Sequence, residues 1–364
     1  MQGKKLIFRY RDGTLRPMWV DAITEGDGDG EKTGANETKK TSSYMNDYIK
    51  NKTKKGNNDA ELKKQIESTK TSVKDAGPDD SLKKNTINGE LSPEREKIHR
   101  EIIEEYFKGK TPVAEGEEKF YYMTGGGSGT GKSNFVKNFD SKYFEGDFKY
   151  NEDTEQLDGN VVKIDADDLK GKIFDKANDG VKFDASYYHE ESSALSKRIN
   201  EISMKMGYNT MLDSTGDGSP TKLKGKIDLA KENGYKVVAC YGTCDVPKAL
   251  DNNYQRYYKK LAENDRTARY VNENDVVDLH RAVTKTLLAD AKYFDRVDLY
   301  DMNDYKNIKK IASGGSGKDL KVAKEYKKEY NDFVSKGALT DQEVYKYATD
   351  YADMLERKGT RPIR

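Results

Sequence analysis

Residues 119–139 read KFYYMTGGGSGTGKSNFVKNF, in which an apolar run enters a glycine cluster and leaves through a lysine and a serine on an amphipathic segment. Glycines let consecutive backbone N–H groups surround a phosphate, and the N-terminus of a following helix adds positive potential. The stretch therefore predicts a strand, a phosphate-binding loop and a helix. The residues that satisfy the pattern G-x-x-x-x-G-K-[ST] are Gly126, Gly127, Ser128, Gly129, Thr130, Gly131, Lys132 and Ser133.

Two residues of this loop have specific predicted tasks. Lys132 is expected to bridge the β- and γ-phosphates of a nucleotide, and Ser133 is expected to ligate Mg²⁺. ATP is the expected nucleotide, and the loop alone leaves GTP open as an alternative. A terminal phosphate held in this way could pass to water, to a protein, to a nucleic acid or to a small molecule.

Strand-like and helix-like segments alternate after this loop. This alternation predicts an α/β fold in which a parallel sheet is covered by helices on both faces. The predicted strands are at 120–124, 161–165, 210–213, 236–241 and 296–302. Among the predicted helices are those at 92–107, 247–261, 273–291, 320–336 and 341–358.

Four regions are predicted along the chain. Residues 1–20 are expected to form a β-hairpin around an Asp-Gly turn, and residues 21–90 a polar, low-complexity linker with too few apolar residues to fold. Residues 91–310 carry the α/β domain. Residues 311–364 are expected to hold a flexible linker, ASGGSGKD at 312–319, and a C-terminal helical segment.

Composition limits the partners that are expected for the chain. Its net charge is +1, from 65 basic and 64 acidic residues, so no general field draws in nucleic acid or an anionic membrane. No apolar run approaches the ~20 residues of a membrane span, and the N-terminus lacks a signal-peptide core. We therefore expect a cytoplasmic protein without a membrane or nucleic-acid partner. Cys240 and Cys244 are expected to be reduced thiols, because a zinc site needs about four ligands.

Acidic residues follow two neighbouring predicted strands, at the sheet edge where α/β proteins bind ligands. Asp165, Asp167 and Asp168 lie at the end of the strand at 161–165 and are candidates for a general base, a metal contact and a helix cap. Asp213 ends the next strand. It is a candidate for binding Mg²⁺, directly or through water, or for orienting the acceptor.

Positive charge for a phosphoryl-transfer transition state is predicted in NNYQRYYKKLAENDRTARYV at 252–271. Arg256 and Arg269 lie thirteen residues apart across a predicted helix-to-loop boundary. This is the layout of a lid that closes over phosphates. Arg266 is a third candidate for the same task.

Taken in order, these motifs resemble those of the zeta-toxin family of P-loop kinases over about residues 91–302. SPEREKIHREIIEEYF resembles the family's leading helix, TGGGSGTGKS its phosphate loop, KIDADDLK its acidic segment, YHEESSALSKRI its next helix and GYNTMLDSTG its next strand. The resemblance implies a P-loop kinase-like α/β fold in which Asp167 is the catalytic base and Asp213 stands where an acidic residue is expected. It also implies that Arg256 and Arg269 handle the phosphates.

The same resemblance implies a reaction and a partner. The chain would use ATP to phosphorylate a sugar hydroxyl of the nucleotide sugar UDP-N-acetylglucosamine in a bacterial host. Well-studied members are held in check by a small helical antitoxin, so an antitoxin is an expected partner. One departure concerns the substrate, because Lys197 stands where several members place an acidic substrate-binding residue. The candidates to substitute for it are Glu190, Glu191 and Glu201.

Three alternatives remain open from the sequence. The acceptor could be another hydroxyl compound, such as an antibiotic or a nucleic-acid end. The chain could be a phage or mobile-element structural protein, associated with a phage particle, in which residues 4–20 and 320–358 mediate assembly and the kinase domain is cargo or vestigial. The region around residues 44–74 could also act as a built-in antitoxin that inhibits the kinase.

Overall fold

The computed structural model describes residues 5–11, 14–20, 80–137, 143–144, 149–151, 156–157, 159–179, 185–262 and 270–357. The strands are β1 (Lys5–Arg11), β2 (Thr14–Val20), β3 (Thr86–Ile87), β4 (Glu90–Leu91), β5 (Lys119–Gly125), β6 (Tyr150–Asn151), β7 (Gln156–Leu157), β8 (Val161–Asp165), β9 (Asn209–Asp213), β10 (Tyr235–Thr243), β11 (Arg296–Asp301), β12 (Lys309–Gly315) and β13 (Lys318–Val322). The α-helices are α1 (Ser81–Lys84), α2 (Pro93–Phe107), α3 (Ser133–Lys137), α4 (Ala166–Ala177), α5 (His189–Met206), α6 (Pro220–Glu232), α7 (Val246–Ala262), α8 (Glu273–Asp290), α9 (Lys327–Gly337) and α10 (Asp341–Arg357).

A seven-stranded sheet forms the centre of the fold, in the order β13-β12-β11-β10-β5-β9-β8. The strands from β11 to β8 are parallel, whereas β12 and β13 run antiparallel at one edge. The predicted α/β fold with a parallel sheet is therefore confirmed, and two antiparallel strands that were not predicted extend one edge of that sheet. After β5 the chain forms β8 and β9, which extend the sheet from one edge of β5. It then crosses over and forms β10 and β11, which extend the sheet from the other edge. Such a reversal is the place where ligands bind in open α/β sheets.

Both faces of the sheet are buried under helices. Along β5, Tyr121 and Met123 belong to one hydrophobic cluster and Tyr122 to the other, because successive side chains of a strand point to opposite faces. Leu195 of α5 lies in the first cluster and Leu250 of α7 in the second. This two-sided cover explains why the strands read as nearly continuous apolar runs.

The last part of the predicted polar linker is folded. Asp80 and Ser81 are fully buried, and Asp80 caps α1 by accepting from the backbone N–H of Lys83 at 2.9 Å. The backbone N–H of Ser81 donates to the carbonyl oxygen of Tyr187 at 2.8 Å, and β3 and β4 then form a short hairpin. The linker prediction was wrong for this stretch, because tertiary hydrogen bonds rather than apolar burial hold it in place.

The predicted flexible break ASGGSGKD is part of the sheet. It lies in the hairpin of β12 and β13, and the prediction was wrong because pairing with β11 orders a glycine-rich stretch. The helix after it begins later than predicted, because β13 extends to Val322. Phe333 of α9 and Val344, Ala348 and Leu355 of α10 are buried, so both C-terminal helices contribute to the core.

The N-terminal strands β1 and β2 pair antiparallel, with Arg11 opposite Thr14 as expected for a two-residue connection. The connection itself and the region around residues 44–74 lie outside the described residues. Within the described part of the chain, no helix combines the length and the apolar character that crossing a membrane requires.

Candidate active site

The carboxyl ends of β8 and β9 place two carboxyl groups on neighbouring strands. Asp165 and Asp213 are register partners in this parallel pair. Thr124, near the end of β5, donates its hydroxyl to Asp213 at 2.6 Å, and this bond joins the pair to the strand that leads into the phosphate loop. Burial, reinforced by the charge of Asp213, raises the pKa of Asp165 to about 7. This edge therefore holds a carboxyl group that titrates near neutral pH.

The three aspartates at the start of α4 have different surroundings. Asp165 caps the helix by accepting from the backbone N–H of Asp167 at 2.9 Å. The Asp167 side chain is 65% exposed and accepts from the ammonium of Lys170 at 2.6 Å. Asp168 instead accepts from the hydroxyl of Tyr106 at 2.8 Å. Asp167 is thus the most exposed of the three and the one that an acceptor can reach most readily.

The phosphate loop has a shape that depends on its glycines. Gly126 has a φ of 134°, and a Cβ there would lie 2.5 Å from a carbonyl oxygen of β10. A Cβ on Gly127 would lie 2.2 Å from the imidazole of His280. That ring contacts the carbonyl oxygen of Ser128 at 2.9 Å through Nε2. Because burial lowers the pKa of His280 to about 3, the ring is neutral and donates its Nε2–H to the loop.

Lys132 lies at the end of this loop with its side chain half-buried. Its ammonium donates to the carbonyl oxygens of Gly126 at 3.0 Å and Gly127 at 3.2 Å. Burial lowers the pKa of Lys132. The cation is therefore held at the mouth of the loop, where a phosphate that binds to the loop would meet it.

Charged side chains from three other parts of the fold shift the pKa of this ammonium. Asp213 of β9 and the two aspartates Asp165 and Asp167 raise the pKa of Lys132, whereas Arg256 of α7 lowers it. The structure thus brings these predicted site residues together around the loop. Arg269 and Arg266 lie outside the described residues.

Asn253 is a site residue that no sequence motif indicated. Its Oδ1 accepts from the hydroxyl of Ser128 at 2.7 Å and from the guanidinium of Arg256 at 2.9 Å. Its amide nitrogen donates to the carbonyl oxygen of Ala249 at 2.8 Å, one helical turn earlier. Asn253 is buried, so it links the loop to α7 from inside the protein. Its position three residues before Arg256 on one helix is the signal that could have indicated it.

Glu191 belongs to a buried cluster of charges rather than to an open site. It accepts from Arg95 at 2.7 and 2.9 Å, from His99 at 2.8 Å and from the hydroxyl of Ser81. Burial by itself would raise the pKa of Glu191, but hydrogen bonds from these partners outweigh it and lower the pKa to about 2. The side chain of Glu191 has no exposed surface. Its candidate role in substrate binding was therefore wrong, and that role stays a prediction for Glu190 and Glu201.

The oxygen atoms near the loop suit a hard cation. Ser133 is exposed at the first position of α3, and the carboxylate of Asp213 acts on the neighbouring Lys132. Mg²⁺ usually takes one or two protein oxygens and completes its shell with phosphates and water. Within the residues that the structure describes, no three His, Cys, Asp or Glu side chains form a metal site. The hydroxyl of Ser133 and the carboxylate of Asp213 are oxygen donors of the kind that fits Mg²⁺ bound together with a nucleotide.

The profile of the zeta toxin family matches residues 103–310, which is more than half of the chain. The chain therefore belongs to the zeta toxin family. Members of this family are ATP-using kinases, and the phosphate loop, the acidic residues and Arg256 all lie within the match. No curated protein matches the chain.

The chain is similar to several solved structures. The crystal structure of AvrRxo1-ORF1:-ORF2 with ATP is 19% identical, with a TM-score of 0.51, and the match covers 69% of this chain and 75% of that one. The structure of AvrRxo1-ORF1:AvrRxo1-ORF2 with sulphate ions is 18% identical, with a TM-score of 0.50 and coverage of 69% and 76%. A structure of the PezAT toxin–antitoxin system of Streptococcus pneumoniae is 16% identical, with a TM-score of 0.44 and coverage of 74% and 99%. The first two comparisons support a P-loop kinase-like α/β fold.

Proposed function

We propose that the chain is an ATP- and Mg²⁺-dependent kinase that phosphorylates a sugar hydroxyl of UDP-N-acetylglucosamine or a related nucleotide sugar. The observation that supports this most directly is the group of charges around Lys132, to which Asp213, Asp167 and Arg256 belong. Phosphoryl transfer requires cations on the transferred group, a metal contact and a base for the attacking hydroxyl. These four residues supply candidates for all three requirements, with Lys132 and Arg256 both serving as cations.

The proposed roles on the phosphate side follow from charge. Lys132 bridges the β- and γ-phosphates, and Arg256 neutralises charge on the equatorial oxygens in the transition state. Arg269 is proposed as a second guanidinium for the same task. Ser133 and Asp213, the latter directly or through water, would hold Mg²⁺, and the ion would neutralise phosphate charge there.

Asp167 is proposed as the general base for the acceptor hydroxyl. Its exposed carboxylate takes the proton of the attacking hydroxyl as that oxygen bonds to the γ-phosphorus and the bond to ADP breaks. Lys170 donates to Oδ1 of this carboxylate at 2.6 Å and so holds it at the start of α4. The proton ends on Asp167 and leaves to solvent after product release.

A second candidate acceptor is a hydroxyl compound other than a nucleotide sugar. The observation that favours it is the burial of Glu191, which removes one of the acidic residues that could bind the sugar. Lys197 is exposed on the same helix and is not acidic. A comparison of UDP-N-acetylglucosamine with other hydroxyl compounds under identical conditions separates the two candidates.

An antitoxin is the proposed protein partner. The AvrRxo1-ORF1 structure is a complex with a second component, ORF2. An alternative is inhibition by the chain's own N-terminal region. A deletion that tests this should end at residue 79, because Ser81 bonds to Glu191 inside the domain. Toxicity that appears only after the deletion supports self-inhibition, whereas toxicity of the full chain that a second protein suppresses supports an antitoxin.

The experiment that tests the kinase is incubation with ATP, Mg²⁺ and UDP-N-acetylglucosamine, followed by mass spectrometry for a phosphorylated sugar nucleotide. Lys132→Ala is expected to lower kcat/KM at least about 100-fold, because it removes the cation on the transferred phosphate. Asp167→Asn is expected to abolish turnover while ATP still binds. Lys97→Ala, which changes a 75% exposed lysine on α2, is the matched control. Full activity of Asp167→Asn would refute its role as the base.

A further inference from the structure

An exposed aromatic ring lies against the phosphate loop. Tyr305, in the connection between β11 and β12, is 41% exposed. A Cβ on Gly131 would lie 2.5 Å from ring carbon Cε1 of this tyrosine, so the ring is in close contact with the loop. The contact is at the residue that immediately precedes Lys132. The ring therefore lies next to the place where the phosphates are expected to bind.

Polar contacts hold this ring in place. The side-chain amide of Asn252, on α7, donates to the hydroxyl of Tyr305 and to the carbonyl oxygen of Gly129, both at 2.7 Å. The ammonium of Lys248 lies 5.3 Å from the ring centroid. One amide thus fixes the ring relative to the loop. A partly exposed aromatic ring in a fixed position offers a surface on which a planar group can stack.

In the strand order of the sheet, the ring and the acidic residues lie on opposite sides of β5. Asp165 and Asp213 end β8 and β9, on one side of β5. Tyr305 follows β11, which lies on the other side of β5. If the reacting phosphate lies toward β8 and β9, the nucleoside end of the same nucleotide is directed toward β10 and β11.

We propose that the base of the nucleotide stacks on Tyr305, which makes this tyrosine a binding residue for the nucleoside part of ATP. The inference rests on the proposed kinase function and adds a base subsite to the same active site. Every base has a π face, so the ring supports ATP and GTP alike and does not choose between them. The hydroxyl of Tyr305 holds the ring on Asn252, whereas the ring itself contacts the base.

The test is calorimetric binding of ATP and of inorganic tripolyphosphate, which has phosphates but no base, to the full chain. Tyr305→Ala is expected to weaken ATP binding about tenfold and to leave tripolyphosphate binding within about twofold. Tyr305→Phe retains the ring and is expected to bind ATP within about threefold of the unmodified chain. Tyr347→Ala removes a similarly exposed tyrosine from α10 and is expected to change neither affinity.

Equal weakening of both probes by Tyr305→Ala would overturn the proposal, because the ring would then only support the loop. Unchanged ATP binding by this variant would overturn it as well. An unmodified chain that binds neither probe would refute the phosphate loop assignment, and with it both the proposed function and the base subsite. An unmodified chain that binds ATP but has no kinase activity would instead refute the proposed function and leave the base subsite standing.

Discussion

Ser128 of the phosphate loop and Arg256 of α7 donate to the same oxygen, Oδ1 of Asn253, at distances of 2.7 and 2.9 Å. The guanidinium proposed to act on the transferred phosphate is thereby tied to the loop proposed to hold that phosphate. Asn253 is buried whereas Arg256 is exposed, so a buried amide anchors an accessible guanidinium to the loop. The arrangement predicts that catalysis depends on a buried amide that positions Ser128 and Arg256 relative to each other.

Replacement of Asn253 by alanine is expected to lower kcat about 10- to 100-fold, because small errors in the position of a catalytic group are costly. Asn253→Asp keeps an acceptor for both donors and is expected to retain more of the activity. Gln255→Ala, at an exposed position of the same helix, is the control. Steady-state kinetics at saturating ATP measure the effect. An Asn253→Ala variant with unchanged kcat would show that the link has no catalytic role.

Asp165 is expected to make stability depend on pH between about 4 and 7. Its pKa is about 7 in the folded chain and near 4 when unfolded, so the folded state binds more protons in this window. Stability attributable to Asp165 therefore falls as pH rises through the window. Asp165→Asn keeps a good helix cap and should be more stable at pH 8, by on the order of 1–3 kcal/mol.

Urea unfolding of both proteins at pH 5 and pH 8 measures this difference. The unmodified chain should lose more stability than Asp165→Asn between the two values. Identical changes in the two proteins would show that Asp165 does not titrate in this range. Groups remote from Asp165 contribute equally to both proteins, so the difference reports Asp165 together with the neighbouring Asp213.

Glu191→Gln is expected to destabilise the fold by about 3–5 kcal/mol, because it leaves the buried guanidinium of Arg95 with less negative charge. Glu94→Gln, at an exposed position of α2, should change stability by less than about 0.5 kcal/mol. The pKa of Glu191 is lowered to about 2, so its stabilisation is complete above its ordinary pKa and is lost as pH falls toward 2. Denaturant titration gives the free energies, and a near-neutral Glu191→Gln would contradict the structural role.

Lys336 connects the C-terminal helices to the sheet. Its buried ammonium donates to the hydroxyl of Thr243 and, at 2.8 Å, to the carbonyl oxygen of Cys244, just beyond β10. Lys336→Met leaves both acceptors without this donor and is expected to cost about 1–3 kcal/mol. Lys328→Met changes an 85% exposed lysine of the same helix and should be nearly neutral. Equal thermal unfolding temperatures for the two variants would show that the buried contact adds no stability.

Local patterns were sufficient to predict the α/β fold and the phosphate loop. Glycine spacing before a lysine and a serine, and apolar runs that alternate with amphipathic segments, are properties of short stretches of chain. The same patterns failed at residues 80–90 and 312–319, where polar or glycine-rich sequence is ordered by distant partners. The Ser81–Glu191 bond, for example, joins residues 110 positions apart.

The strands of the sheet, the phosphate loop and the order of the charged residues follow from the amino-acid sequence alone, because local periodicity and backbone sterics act within a few residues. Three features arise only in the folded chain: the pKa of Asp165 is raised, Glu191 is buried, and Asn253 joins Ser128 to Arg256. Each of these depends on which side chains meet across the fold, and the Ser128–Asn253 bond spans 125 positions of the chain. Burial and charge at such contacts arise only when the chain is folded, which is why sequence patterns did not indicate them.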